Sequence, residues 1–181
     1  MKKDLRQIVL AGGCFWCTEA VFIRLEGVDM VESGYTGGTI KNPAYREVCS
    51  GRTGHAEAVR VTFDPAILDL DTIFEVFFAT HDPTTLNRQG NDVGTQYRSA
   101  IFYTSEEQRD KAVEFIKMLE QNNVFNKRIV TEIAPLDVFY KAEVDHQEYY
   151  AQNTEQPYCQ YIIAPKIEKI NTYYKDKLKS N

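Results

Sequence analysis

The sequence predicts an α+β protein whose core follows the order strand–helix–strand–strand–helix–strand, a ferredoxin-like βαββαβ unit. Short apolar or alternating runs bounded by Gly and Pro predict the strands. Segments with apolar residues at every third or fourth position predict the helices. These elements would form a two-layer sandwich with helices on one face of a mostly antiparallel sheet. Beyond Phe139 the pattern is irregular, so we expect a wrapping C-terminal extension with short helices.

The first half of the core combines three strands with one helix. Its predicted elements are, in order, strand Arg6–Ala11, helix Cys14–Arg24, strand Val28–Tyr35 and strand Ala56–Phe63. Gly27 ends the helix, the Gly37-Gly38 pair closes the second strand, and Asp64-Pro65 stops the third. Between the last two strands, the Gly- and Pro-containing stretch Asn42–Gly54 predicts a loop.

The second half completes the core after a long polar segment. Its predicted elements are helix Asp71–Thr80, loop His81–Gln96, strand Arg98–Tyr103, a helix opening at Ser105 and a short strand Val130–Ala134. Asp71 is a suitable N-cap for the first helix, and Ser105–Gln108 has the pattern of a capping box for the second. A loop as long as His81–Gln96 in a compact domain is usually functional.

The bulk composition excludes several classes of function. A chain of 181 residues can form one domain with a substantial core, so we expect a single domain over residues 1–181. Its formal net charge of −5 argues against binding to nucleic acid or anionic membranes. No apolar run approaches the roughly 18 residues of a membrane span, and Ile8–Ala11 is too short for a signal peptide. The sequence therefore predicts a cytoplasmic protein, and we expect a monomer.

Two thiols, Cys14 and Cys17, stand one helical turn apart at the start of the first predicted helix. The amide groups and the helix dipole at such a position favour the thiolate. Between them lie Phe15 and Trp16, the only tryptophan of the chain. Because bulky aromatic side chains suit a pocket for a small apolar group, this motif predicts redox chemistry on a small sulfur-containing ligand.

Glu57 is a candidate general acid. Side chains alternate along Ala56–Phe63, so Glu57 shares one face with the apolar residues Val59, Val61 and Phe63. It could lie at the solvated end of this strand. Alternatively, it lies at the edge of the apolar face, where desolvation raises its pKa and lets it donate a proton near neutral pH.

Polar groups in two loops could line the same pocket. The segment Arg88–Arg98 is dense in hydrogen-bonding side chains, among them Asp92, and it fits either turn formation or a pocket wall. Tyr45 and Tyr97 could donate hydrogen bonds to an oxygen that gains negative charge. The three histidines, His55, His81 and His146, lack the spacing of metal ligands.

The remaining cysteines, Cys49 and Cys159, leave several alternatives open. Two structural disulfides or a four-thiolate zinc site would be possible in principle. Neither is expected, because the chain has a sufficient core and Cys49 and Cys159 do not form a second closely spaced pair. A hydrolytic Cys–His pair also remains conceivable, since residues distant in sequence can meet in the fold.

Five segments together resemble the peptide methionine sulfoxide reductase A family. They are Gly13–Trp16, Gly54–Glu57, His81–Pro83, Gly90–Asp92 and Gly94–Arg98. Each is weak alone, but five in the family's order are highly specific, and the resemblance extends from about Ile8 to Pro165. It implies an α+β sandwich around a βαββαβ motif.

The resemblance also implies a role for each matching residue. Cys14 would be the nucleophile that attacks the sulfoxide sulfur, while Phe15 and Trp16 would hold the S-methyl group. The acid that protonates the sulfoxide oxygen would be Glu57. The other residues with an implied role are Tyr45 and Tyr97, which would assist Glu57, and Asp92, which would order a water or a substrate group. The substrates would be oxidised proteins, peptides and free methionine sulfoxide, with a preference for the S epimer.

The resemblance implies no cofactor and no metal, because electrons come from thioredoxin or another dithiol. A second thiol would condense with a Cys14 sulfenic acid to form a disulfide. Many family members have Gly where Cys17 stands and carry a thiol in the C-terminal tail, so either Cys159 or Cys17 could be this residue, with a slight preference for Cys159. The remaining alternative is direct reduction without a second protein thiol. Two other functions remain open: a thioredoxin-like disulfide oxidoreductase using Cys14 and Cys17, and a metal-binding module.

Overall fold

A six-stranded mixed sheet lies at the centre of the structure, a computed structural model that describes residues 4–180. The strands are β1 (Arg6–Gly12), β2 (Val28–Thr36), β3 (Ala56–Phe63), β4 (Arg88–Gln89), β5 (Asp92–Val93), β6 (Ser99–Tyr103), β7 (Glu132–Pro135) and β8 (Tyr140–Lys141). The sheet has the order β7–β6–β1–β3–β2–β8, and β4 pairs with β5 separately. Only β6 and β7 are parallel neighbours. The prediction of a protein with helices around a central sheet is confirmed.

The helices are α1 (Phe15–Phe22), α2 (Tyr45–Cys49), α3 (Leu70–Ala79), α4 (Glu106–Gln121), α5 (Tyr149–Gln152) and α6 (Ala164–Tyr173). Helices α1 and α3 begin and end within two residues of the predicted positions, and α4 begins one residue after Ser105. The expected N-cap of α3 was wrong: the Asp69 carboxylate, not that of Asp71, accepts the Thr72 N–H at 2.8 Å. Within residues 4–180, no helix is long and apolar enough to cross a membrane.

Local hydrogen bonds explain three further differences. Residues predicted as loops contain the one-turn helix α2 and the ribbon β4–β5. The last predicted strand starts later, at Glu132, because the Val130 N–H donates to the Pro83 carbonyl instead of to the sheet. In the predicted capping box, the Ser105 hydroxyl accepts the Gln108 N–H, whereas the Gln108 side chain accepts the N–H of Thr104.

Strand β3 separates two apolar clusters because its side chains alternate between the faces of the sheet. Val59, Val61 and Phe63 belong to the large cluster that also contains the buried side chains of α1 and α3. Ala56 and Ala58 belong to a smaller cluster on the other face. Glu57 lies on the face of the large cluster, at the end of β3 where α1 begins.

The register of the sheet brings β3 and the start of α1 together. Leu10 pairs with Val59, so Glu57, two residues earlier on the antiparallel strand, lies at the level of Gly12. The chain then turns into α1 through Gly13, whose φ of 95° is one that L side chains rarely adopt. A Cβ atom there would also lie only 2.7 Å from the Gln89 side chain. This turn places Cys14 beside Glu57.

Candidate active site

Cys14 is the N-cap residue of α1, and its thiol is buried, with 7% of the residue exposed. Glu57 Oε1 accepts a hydrogen bond of 3.1 Å from the Phe15 N–H, so this carboxyl group satisfies one of the free amide groups at the helix start. The second oxygen, Oε2, is buried and has no N–H or O–H partner within residues 4–180. It is therefore available to a polar atom that enters the site.

Burial determines the protonation of Glu57. It raises the pKa of this carboxyl to about 8, against the opposing effect of the Phe15 hydrogen bond, and the charge of Asp92 contributes to the increase. Only 1% of Glu57 is exposed. The alternative of a solvated strand end was therefore wrong, and the group is mostly protonated at neutral pH.

The two thiols of the motif form a hydrogen-bonded pair. Burial, the bond to Cys17 and the charge of Glu57 raise the pKa of Cys14 well above its ordinary value. The bond from Cys14, together with the charge of Lys166, lowers the pKa of Cys17 to about 7. The expectation that the helix start favours a thiolate was wrong for Cys14, because its burial outweighs the effect of the helix start. Cys17 is the thiol with the lowered pKa.

Aromatic rings cover the thiols on one side. Phe15 is fully buried against Tyr35, with ring centroids 5.6 Å apart. Trp16 is half-buried; its indole N–H donates to His146 Nδ1 at 3.2 Å, and its ring stacks on Tyr149 with centroids 3.7 Å apart. The Trp16 ring thus forms part of an apolar wall whose orientation depends on residues far along the chain.

The predicted tyrosines lie near the buried carboxyl group. Burial raises the pKa of Tyr45, and a hydrogen bond with Cys49 and the charge of Glu57 raise it further. Burial and the charge of Glu57 also raise the pKa of Tyr97. Both phenols therefore keep their protons at neutral pH, and each can act as a hydrogen-bond donor.

Asp92 faces the opposite side of the site. Its Oδ2 accepts a hydrogen bond of 2.8 Å from the Tyr158 hydroxyl, which is also 3.6 Å from Cys17 Sγ. A cavity of about 430 Å³ is lined by both thiols, Asp92, Tyr158 and Lys166. The structure therefore brings two thiols to one cavity, and the buried Glu57 carboxyl lies beside the first of them.

Comparison with known proteins identifies the family that shares this arrangement. A model of the peptide methionine sulfoxide reductase family matches residues 6–178. The chain belongs to this family. Its members include the peptide methionine sulfoxide reductase MsrA of Deinococcus radiodurans, which is 58% identical over 173 residues, 96% of this chain and 84% of the relative. The protein is an oxidoreductase for thiol-dependent methionine sulfoxide reduction.

Two solved structures of reductases have similar folds. The methionine sulfoxide reductase A of Corynebacterium diphtheriae superposes with a TM-score of 0.80 at 38% identity, over 84% of this chain and 76% of that one. Reduced Mxr1 from Saccharomyces cerevisiae superposes with a TM-score of 0.79 at 33% identity, over 87% of this chain and 92% of that one. The mixed α/β fold of this chain is thus similar to the folds of these two proteins.

The two remaining cysteines of this reductase have different surroundings. Cys159 begins a π-helical turn, Cys159–Ile163, and has no exposed surface. Burial and the charge of Cys17 raise its pKa. Cys49 is half-buried at the end of α2, beside the Tyr45 hydroxyl. All four cysteines are free thiols.

Two of the histidines have structural hydrogen bonds. His81 is buried between the Phe77 carbonyl (2.6 Å) and the Ser99 hydroxyl (2.8 Å), and burial lowers its pKa to about 4. His55 accepts the Gly38 N–H and contacts the Ile40 carbonyl. Within residues 4–180, no group of three or more His, Cys, Asp or Glu residues could hold a metal ion.

Sequence reasoning missed three residues of this site: His146, Tyr158 and Lys166. All three follow Phe139, in the part of the chain whose pattern is irregular. Tyr158 directly precedes Cys159, and this proximity to a candidate thiol is the one signal that could have drawn attention to it. Nothing in the local pattern indicates that His146 contacts Trp16 or that Lys166 lies beside Cys17.

Proposed function

We propose that Cys14 attacks the sulfur of methionine S-sulfoxide while Glu57 protonates its oxygen. The observation that carries this proposal is the buried Glu57 carboxyl beside the Cys14 thiol, with a pKa raised to about 8 and one oxygen free of N–H and O–H partners. An acid of this kind increases rates by about 10²–10⁴. Tyr45 and Tyr97 donate further hydrogen bonds to the oxygen, and Asp92 orders a water or a substrate group.

The first step transfers one oxygen atom. The Cys14 sulfur attacks the sulfoxide sulfur and forms an S–S bond, while Glu57 gives its proton to the oxygen and the thiol proton of Cys14 restores the acid. The hydroxyl then moves from the substrate sulfur to Cys14 Sγ, and the S–S bond breaks with its electron pair on the substrate sulfur. Methionine leaves with its sulfur reduced, and Cys14 is left as a sulfenic acid. Phe15 and Trp16 hold the methyl group during this step; their apolar rings beside the thiol support this role.

The second step forms a disulfide. The Cys17 sulfur attacks Cys14 Sγ, the sulfenic oxygen leaves as water, and a Cys14–Cys17 bond results. A disulfide requires Cα atoms within about 7 Å. The hydrogen bond between the two thiols and the lowered pKa of Cys17 support Cys17 over Cys159, which the sequence slightly favoured and which is fully buried.

An external dithiol then reduces this bond, and thioredoxin is the proposed reductant. Yeast Mxr1 forms a complex with the thioredoxin Trx2. Because thiols carry all the electrons, the cycle needs no cofactor or metal. The substrates are oxidised proteins and peptides as well as free methionine sulfoxide, and the biological role is the repair of oxidised proteins in the cytoplasm.

The proposed active unit is one monomer with a single domain over residues 1–181. We also propose that its core is a ferredoxin-like βαββαβ unit. The spatial order β6–β1–β3–β2, with antiparallel neighbours throughout, supports this classification. In such a core the crossover through α1 places the N-terminus of that helix at the end of the central strands, where Cys14 and Glu57 meet.

The test is turnover of separated sulfoxide epimers with dithiothreitol as the reductant. We expect the wild-type protein to reduce the S epimer and Cys14→Ser to be inactive. Activity that survives in Cys14→Ser would contradict the mechanism. A protein that reduces insulin disulfides but neither epimer would instead be a disulfide oxidoreductase using Cys14 and Cys17.

A further inference from the structure

A large groove lies next to the catalytic cavity and has no role in the proposed cycle. It measures about 820 Å³, which is within the range of ligand sites, and it lies between the end of α3, the turn that follows it, residues 124–127 and α6. Its walls combine lysine with aromatic and aliphatic side chains. This composition suits a ligand that carries both negative charge and apolar surface.

The groove is positively charged although the whole chain has a net charge of −5. Lys127, Lys166 and Lys169 line it together with one carboxylate, that of Asp82, which accepts hydrogen bonds from Thr84. Within residues 4–180 none of the three lysines forms an ion pair, although Lys169 donates to the Ala79 carbonyl. Three lysines thus line the groove, and Asp82 is the one carboxylate among its lining residues.

Apolar side chains are exposed along the same groove. Tyr173 is 72% exposed and Val124 is 53% exposed. Large exposed apolar side chains that cluster with charged residues are typical of binding surfaces. The combination with lysine distinguishes this groove from a purely apolar depression and favours an acidic partner.

The groove adjoins the catalytic cavity. Pro165 and Lys166 line both, so a peptide bound in the cavity passes close to the groove. Lys166, Lys169 and Tyr173 follow at positions i, i+3 and i+7 on one face of α6. From Lys166 to Tyr173 the helix rises about 10 Å. An extended peptide covers this length in about three residues.

We propose that this groove binds an acidic segment of the polypeptide substrate, within a few residues of the methionine sulfoxide that occupies the Cys14 cavity. The proposal rests on the proposed function and specifies its substrates further. The lysines attract Asp or Glu side chains next to the sulfoxide, and Tyr173 and Val124 contact the apolar parts of the same segment. Free methionine sulfoxide has no such segment and does not reach the groove.

The experiment compares kcat/KM for six peptides with dithiothreitol as the reductant, so that no protein reductant takes part. The methionine sulfoxide is flanked by three Asp, three Ser or three Lys residues, on either side in separate peptides. We expect the wild-type protein to favour the Asp peptide over the Lys peptide by about tenfold at low salt, since each exposed charge pair contributes a small amount. The preference should disappear in 0.5 M salt because ions screen exposed charges.

Charge-reversal variants locate the effect. Lys127→Glu and Lys169→Glu should each lower kcat/KM for the Asp peptide about threefold or more while leaving turnover of free methionine sulfoxide unchanged. Lys117→Glu is the matched control, because Lys117 is exposed on α4 and does not line the groove. It should leave the preference intact. Unchanged melting temperatures for the variants exclude a folding defect.

Three outcomes would overturn the proposal. The first is equal kcat/KM for the Asp and Lys peptides. In the second, Lys117→Glu reduces the preference for the Asp peptide as much as Lys127→Glu does. The preference would then result from the net charge of the protein and not from the groove. In the third, the variants keep the wild-type peptide preference with dithiothreitol and slow only a parallel assay in which thioredoxin replaces it, so that the groove binds the reductant. If free sulfoxide is not reduced at all, the proposed function fails; if it is reduced without a peptide preference, only this inference fails.

Discussion

The active site joins two regions that are built differently. The first region is the end of β3 and the start of α1, where Glu57 and Cys14 are buried and fixed by sheet register. The second is the C-terminal segment, in which every residue from Glu143 to Tyr158 keeps part of its surface exposed. Its regular structure there consists of a 3₁₀ turn and the four-residue helix α5. The proposed chemistry therefore lies in the first, buried region, which we call the rigid region. The second region is more exposed, and access to the site depends on it.

The two regions also differ in how they affect ionisation. In the rigid region, burial raises the pKa values of Glu57 and Cys14, so both groups keep their protons. The bond from Cys14 is the largest cause of the lowered pKa of Cys17, and Lys166 and Tyr158 on the C-terminal side lower it further. In the proposed cycle the first region supplies the proton for the sulfoxide oxygen, and the C-terminal side adds to the stabilisation of the sulfur that closes the disulfide.

The largest expected effect comes from the rigid region. Cys14→Ser should reduce sulfoxide turnover to background, because a hydroxyl in this buried position cannot replace the sulfur as nucleophile. The measurement is methionine release by chromatography with dithiothreitol present. Cys49→Ser is the control and should retain most of the activity. Equal losses in the two variants would contradict the assignment of Cys14.

Substitutions of Glu57 test the proposed acid in the same region. Glu57→Ala should lower kcat by about 10²–10⁴, the usual range for general acid catalysis. Glu57→Gln should lose less, because its amide still accepts the Phe15 N–H and can donate a hydrogen bond to the sulfoxide oxygen. Single-turnover measurements isolate this step. If Glu57→Ala reacts as fast as the wild-type protein, Glu57 is not the acid.

The raised pKa of Glu57 also predicts a pH dependence. Its protonated form is the active one, so the rate of oxygen protonation should fall as pH rises through about 8. The folded state binds this proton more tightly than the unfolded state does. The contribution of Glu57 to the free energy of unfolding therefore decreases between about pH 4.5 and 8, by on the order of a few kcal/mol. Denaturant titrations should show that Glu57→Gln lacks this decrease.

The sequence could predict the rigid region because its signals are local. Alternation along β3 indicates that Glu57 shares a face with Val59 and Val61, and the turn residues before Cys14 indicate where α1 starts. The C-terminal segment has no comparable periodicity. Its contacts, such as that between His146 and Trp16, join residues 130 positions apart, so they depend on tertiary packing that no local pattern records.

The choice of the second thiol tests how the two regions cooperate. After one equivalent of sulfoxide, Cys159→Ser should form a Cys14–Cys17 disulfide at the wild-type rate. Cys17→Ser should instead accumulate the Cys14 sulfenic acid and slow steady-state turnover about tenfold, because it lacks the neighbouring thiol. Peptide mass analysis identifies the bridge. A Cys14–Cys159 bridge in the wild-type protein would instead show that Cys159 is the thiol that closes the disulfide.

The smallest expected effect concerns the contact through which the C-terminal segment orients the pocket. His146→Phe keeps an aromatic ring beside Tyr45 but removes the acceptor of the Trp16 indole N–H. A lost hydrogen bond of this kind costs about 1 kcal/mol, so KM should rise about threefold to fivefold with kcat nearly unchanged. Tyr149→Phe is the control, since it keeps the ring that stacks on Trp16. A fall in kcat without a change in KM would instead mean that His146 takes part in proton transfer, and the C-terminal segment would then contribute to the chemistry as well as to binding.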